Sequence, residues 1–74
     1  MEYELIREIF NECSGNQMRD VFVDEIITAD TDDYLKRFLV GADIKTDRHV
    51  NADGSIIYDV IVDGLRQRYS FTPI

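Results

Sequence analysis

Between Glu4 and Cys13 the apolar residues stand at Leu5, Ile6, Ile9, Phe10 and Cys13, with Glu4, Arg7, Glu8, Asn11 and Glu12 filling the gaps. That spacing of i, i+1, i+4, i+5, i+8 is a helical stripe and predicts a helix over 4–13. As a strand, the same residues would send Leu5, Arg7 and Ile9 to one face and Ile6, Glu8 and Phe10 to the other, burying a charge whichever side met the core. Ser14, Gly15 and Asn16 read as a helix stop, since Gly and Asn tolerate the left-handed conformation that closes a last turn. Residues 21–28 are β-branched and apolar on both alternating sets, Val21, Val23 and Ile27 against Phe22, Ile26 and Thr28, which predicts a strand covered on two sides. Asp30, Thr31, Asp32 and Asp33 then open a second helix with side-chain oxygens for its free N–H groups. Tyr34, Leu35, Phe38 and Leu39 form its buried stripe, Lys36 and Arg37 face water, and Gly41 ends it.

The last third carries two turn signals. Asn51-Ala52-Asp53-Gly54 has the chemistry of a type I turn followed by a bulge, with Gly54 in the left-handed position. Setting Asn51 opposite Ser55 places Val50 opposite Ile56, Thr46 opposite Val60 and Ile44 opposite Val62; a one-residue slip would leave Val50 on the wrong face. Asp63-Gly64 is a two-residue hairpin turn that sets Val62 opposite Leu65, Tyr58 opposite Tyr69 and Ile56 opposite Phe71. On the other face the same register pairs Asp59 with Arg68 and Ile61 with Arg66. Pro73 lacks the N–H of a continuing ladder, so the strand should end near Thr72. The prediction is an α+β fold in one domain over residues 1–74, helix-strand-helix followed by a three-stranded antiparallel β-meander. Strand 21–28 and the edge from Ser70 to Ile74 are the places where a second copy would pair, so the expected state is a monomer or weak homodimer.

Length and charge narrow the function. A chain of 74 residues has no room for a second domain, and one of about this size buries only about 60% of its unfolded surface, so a deep catalytic cleft would compete with the core. Fifteen acidic against eight basic residues give a net charge of −7 and a pI near 4.4, which opposes nucleic-acid binding unless the few cations gather on one face. No apolar run approaches the roughly 20 residues that cross a bilayer, and the opening Met1-Glu2-Tyr3-Glu4 lacks the pattern of a signal peptide. The expectation is a cytoplasmic protein without membrane contact, which the single cysteine, unable to form an internal disulfide, also fits.

Candidate chemistry is sparse. Cys13 has an acidic flank and, on this reading, a helix C-terminus, both of which disfavour a thiolate; a small buried hydrophobe explains it, and it stands as the candidate thiol otherwise. His49 is the one histidine, placed opposite Ile57 beside Asp47, and no zinc-ligand spacing accompanies it. Residues 51–56 match the middle of a calcium loop, but the first and twelfth ligand positions would be His49 and Val60, so the hairpin explains them better. No phosphate loop, nucleophile elbow or paired-carboxylate motif is present, and neither cofactor nor metal is expected.

Surface residues remain. Gln17, Met18 and Arg19 form a polar approach to the strand that reads as a functional loop. Ile57 and Ile61, with Lys45, His49, Asp59, Arg66 and Arg68, combine apolar and charged groups on the outer face of the meander. Either that face is an interface or a helix covers it and the two isoleucines are second-layer core. The segments Phe10-Asn11-Glu12-Cys13-Ser14-Gly15-Asn16-Gln17-Met18-Arg19-Asp20 and Asp63-Gly64-Leu65-Arg66-Gln67-Arg68-Tyr69-Ser70-Phe71 resemble those of short, acidic, uncharacterised bacterial proteins of anaerobes. That resemblance spans most of the chain, implies a bacterial source and carries no activity; it directs attention to Gly15 through Asp20 and to Arg66 and Arg68.

The reading that follows is a non-enzymatic protein-interaction module docking on a larger, basic protein through the outer sheet face or the Gln17-Met18-Arg19 loop. The alternative is a small-ligand, metal or thiol site around Cys13, Arg19 and His49. Much of the acid is already assigned to caps, turns and the Asp59 pair, which weakens the inference of a basic partner and shifts weight to the mixed face around Ile57, Ile61, Arg66 and Arg68.

Overall fold

The structure, a computed structural model, describes residues 1–13 and 16–74, and the side chains of residues 1–10 and 20–74. Its elements are β1 (Glu2–Cys13), β2 (Asn16–Ile27), α1 (Thr31–Leu35), β3 (Ile44–Val50), β4 (Ile56–Val62) and β5 (Leu65–Pro73). The strands form one five-stranded sheet in the order β2-β1-β5-β4-β3, antiparallel at every pairing. The chain is thus nearly all β with one short helix, and the expected helix-strand-helix arrangement of an α+β fold is not what it adopts.

The principal correction is residues 4–13, a strand in the middle of the sheet. The objection to a strand was the charge it would bury, and the structure shows how that charge is accommodated. Arg7 does point to the covered face, where its guanidinium carbon lies 4.6 Å from the centre of the Phe38 ring and 4.9 Å from that of Phe22. An Asp24 carboxylate oxygen stands 4.0 Å away. Glu8 points to the opposite face, which no described element covers. Once Arg7 has aromatic walls, pairing with β2 on one side and β5 on the other satisfies the backbone along the strand, and non-local pairing overrides the local helical period. The expected helix stop at Ser14 and Gly15 lies outside the described residues.

Strand 21–28 is also corrected. It belongs to the longer β2, which is an edge strand with Val21, Phe22 and Val23 exposed rather than one covered on both sides. The Ser70-to-Ile74 edge is no edge: β1 pairs along it, with Leu5 opposite Phe71, Glu4 opposite Thr72 and Tyr3 opposite Pro73.

The meander register holds residue by residue. Val50 faces Ile56, Thr46 faces Val60 and Ile44 faces Val62 on one side of β4; Tyr58 faces Tyr69 and Ile56 faces Phe71 on the other. Gly54 sits at φ 88°, while Asp63 and Gly64 sit at 48° and 85°, the paired positive angles of a tight two-residue turn. β5 runs through Pro73, one residue beyond the expected end.

The second helix forms where its cap predicts and ends early. Asp30 accepts from the backbone N–H groups of Asp32 and Asp33 at 3.0 and 3.4 Å. After Leu35 the bonds tighten to i→i+3, Phe38 N to Leu35 O at 3.0 Å and Leu39 N to Lys36 O at 3.4 Å, so the helical stripe is used but the α-helix is not continued to Gly41. Gly41 serves a close approach instead. A Cβ there would stand 2.7 Å from both Asp63 Oδ2 and Val62 Cγ1, and Asp63 accepts from the N–H groups of Ala42 and Asp43.

One core lies between α1 and one face of the sheet. Leu5 and Phe71, partners across β1 and β5, are both 0% exposed. The Phe71 ring meets Tyr3, Tyr34 and Tyr58 edge-on, with centroids 6.1, 6.2 and 5.6 Å away. Each such contact is worth about 0.5–1.5 kcal/mol beyond its buried area. The Tyr58 hydroxyl donates to the Asp32 carboxylate, so at 2.8 Å the Thr31 hydroxyl donates to Tyr58. The helix start is thereby tied to the central strand.

Two predictions follow from this core. Phe71→Ala should cost about 3–5 kcal/mol, a large share of what a domain of this size has, so its far-ultraviolet circular dichroism melt should show a chain largely unfolded at room temperature. Burial first, and then the bond to Asp32, raise the Tyr58 phenol above its ordinary value. The folded state therefore holds that proton more tightly, and the associated stability is complete below about pH 10 and lost as pH rises toward the raised value. Tyr58→Phe should weaken folding by about 1–2 kcal/mol at neutral pH and flatten the alkaline fall of the urea midpoint; an unchanged fall would remove Tyr58 as its source.

Candidate interaction surface

No described element covers the face of the sheet away from α1, since β strands send alternate residues to each side and the helix covers only one. Register sorts the outer residues into rows that cross the strands from β2 to β3. The first row is Val23, Ile6, Ser70, Ile57 and His49; the second is Val21, Glu8, Arg68, Asp59 and Asp47. The third is Phe10, Arg66, Ile61 and Lys45, with Arg19 as Phe10's register partner on β2.

Of the two readings of Ile57 and Ile61, the one in which a helix covers them does not describe this fold. Ile57 is half-buried between His49 and Ser70, and Ile61 is 40% exposed between Lys45 and Arg66. Val21 and Val23 extend the apolar surface at 48% and 60% exposure. His49 is exposed.

The second row is an electrostatic arrangement centred on one cation. Asp47 and Asp59 lie directly opposite each other, a repulsive cross-strand pair. Arg68 answers it, its Nε donating to Asp59 Oδ1 at 2.9 Å. The Asp59 bond and charge, and then the charge of Glu8, hold the Arg68 guanidinium above its ordinary value. Glu8 Oε2 is enclosed without a hydrogen-bond partner among the described residues, and its charge lies near enough to raise the Arg68 guanidinium. A shallow depression of about 360 Å³ lies over this pair, with Lys45, Asp47, Ile61 and Arg66 on its walls.

In the third row the Arg66 guanidinium carbon lies 5.0 Å from the centre of the Phe10 ring, and that of Arg68 lies 6.0 Å from it on the neighbouring row. Phe10, assigned by periodicity to a helix stripe, is thus the aromatic floor for two arginines. Once β1 is a strand, Glu4, Ile6, Glu8 and Phe10 share its outer face, but the polar and apolar residues of 4–10 run in pairs and carry no period-two signal for it.

The remaining candidates are dispersed. Gln17, Met18 and Arg19 belong to β2, opposite Glu12, Asn11 and Phe10, not to a loop; their side chains lie outside those described. Cys13 ends β1 opposite Asn16, and its side chain is likewise outside those described. β1 and β3 are three strand spacings apart, roughly 14 Å, and the row of His49 crosses β1 at Ile6, seven residues from Cys13. The fold does not bring Cys13 and His49 together. Among the described residues no group of three or more His, Cys, Asp or Glu side chains is placed to hold a metal ion. Asp53 accepts from the Ser55 hydroxyl and N–H at 2.6 and 2.9 Å, bonds that lower its pKa and tie it to the turn. Among the described residues no helix is long and apolar enough to cross a membrane.

No protein-family model, curated protein or solved structure matches the chain.

The Arg68 arrangement predicts a specific coupling. Both partners of the pair are partly exposed, so Arg68→Ala should lower stability by at most about 1 kcal/mol, less at high salt. Adding Asp59→Asn to that variant should restore most of the loss by relieving the repulsion from Asp47. Urea midpoints of the two variants at low and high salt test this; a loss unaffected by salt and by the second substitution would show that packing, not charge, is at stake.

Proposed function

We propose that this chain is a non-enzymatic protein-interaction module that docks through the outer face of its sheet. The observation that carries the reading is the exposure of Ile61, Val21 and Val23 beside half-buried Ile57 and Phe10, on a face that also bears Arg66, Arg68 and Lys45. Apolar groups set among charges on a flat sheet are the composition of a non-obligate interface. The molecule measures 39 by 24 by 20 Å, so its broad side offers roughly 900 Å², comparable to the roughly 800 Å² that each partner buries in a standard complex.

The sheet edges are less suited to the task. β3 carries Lys45, Asp47 and Arg48, and β2 carries Asp20, Asp24 and Glu25, charges that discourage strand addition. A cytoplasmic setting belongs to the same reading, resting on the lone cysteine.

Ile61→Asp tests the proposal, because Ile61 is exposed enough that the change should alter stability by no more than about 0.5 kcal/mol. Affinity capture from the native cell with the unmodified chain should recover a discrete protein that the variant, melting at nearly the same temperature, does not retain. Equal recovery by both chains would refute docking through this face.

A further inference from the structure

Resting on that reading of the outer face, we propose that the row Phe10, Arg66, Ile61, Lys45 is a docking strip for an acidic partner segment, one that presents two carboxylates about 10 Å apart on either side of an apolar side chain. The strip runs across four neighbouring strands, β1, β5, β4 and β3, and alternates apolar with cationic groups.

Charge complementarity selects the occupant. Among the described residues the ion pairs are Arg7 with Asp24, Arg48 with Asp32 and Arg68 with Asp59. Lys45 and Arg66 have no carboxylate within 4.0 Å among those residues, in a chain with 15 acids and only eight bases. Two exposed cations with no carboxylate beside them among the described residues, flanking an exposed isoleucine, form a surface that a negatively charged segment complements. Arg66 is also oriented. Its guanidinium carbon lies over the Phe10 ring at 5.0 Å, a cation–π contact that holds the group on the outer face, where it can meet a carboxylate. Ile61, 40% exposed, lies between the two cations and supplies the apolar contact.

Spacing sets the form of the partner. Arg66 and Lys45 are two strand spacings apart, about 10 Å. A helix places residues i and i+7 on one side with a rise of about 10 Å, and positions i+3 and i+4 then fall above Ile61. Two twofold pairings of this face with a second copy are opposed by like charge. A twofold axis along β5 would set Arg66 on Arg66 and Glu8 on Asp59; one across the strands through the second row would set Arg68, Asp59 and Asp47 each on itself. Nucleic acid is opposed by Glu8, Asp59 and Asp47 in the adjacent row, which would repel a continuous phosphate backbone.

The test is an amide chemical-shift titration of the isotopically labelled full chain with a helical alanine-based peptide that carries two glutamates seven residues apart and leucines at the third and fourth positions between them. Shifts should concentrate at Phe10, Lys45, Ile61 and Arg66, and Arg66→Glu should weaken binding by roughly tenfold or more, as expected for loss of a charge-assisted bond. The same peptide with lysine for glutamate should not bind. If the lysine peptide binds this strip as well as the glutamate peptide, the acidic class is wrong while the docking face stands. No shifts with the glutamate peptide, alongside capture that still depends on Ile61, would overturn this inference alone. Equivalent shifts from a short oligothymidylate would overturn it in favour of a nucleic-acid contact.

Discussion

The pairing of β1 with β5 holds the two halves of the chain together. On one side of that joint is the β1–β2 hairpin and on the other the β3–β4–β5 meander, and among the described residues β1–β5 is the only strand pairing between them. A two-stranded hairpin alone is marginal in water, whereas a five-stranded sheet with a helix on one face has a core. Leu5 and Phe71 meet at this joint from opposite ends of the chain, both fully buried, and the tyrosines that surround Phe71 come from β1, β4 and the helix. The helix and the strand order that exposes the outer face both depend on a contact between residues 66 positions apart.

What was legible in the sequence follows the range of the interaction that decides it. The two hairpins of the meander were readable because their turn chemistry at Gly54 and Asp63-Gly64 fixes register within a few residues. The Asp30 cap was readable for the same reason. Residues 4–13 were not, because apolar and polar residues run there in pairs, Leu5-Ile6, Arg7-Glu8, Ile9-Phe10 and Asn11-Glu12, a helical spacing with no period-two alternation to announce a strand. The strand forms where Phe22 and Phe38, from elsewhere in the chain, enclose the Arg7 guanidinium.

The candidate surface was half legible for the same reason. Ile57, Ile61, His49, Arg66 and Arg68 were placed on one face by the meander register, and they share that face in the fold. Phe10 and Glu8 were not, since they join it through β1. Their arrival changes the electrostatic picture: Glu8 adds to the acid that Arg68 compensates, and Phe10 orients Arg66. The overall negative charge therefore gives a poor description of the outer face, where Glu8, Asp59 and Asp47 share a row with Arg68 and the next row carries Arg66 and Lys45.

The position of β1 in the interior of the sheet also bears on synthesis. A ribosome delivers the β1–β2 hairpin first, yet the strand that pairs with the other side of β1 is made last. At roughly 5–20 residues per second the free side of β1 waits on the order of seconds for β5. During that wait the edge of β1 that faces β5, on the strand bearing Leu5 and Ile9, has backbone groups open to any other nascent chain. Residues 2–27 carry seven acids, Glu2, Glu4, Glu8, Glu12, Asp20, Asp24 and Glu25, against Arg7 and Arg19, and like charge of that kind opposes the approach of a second copy before the native sheet exists.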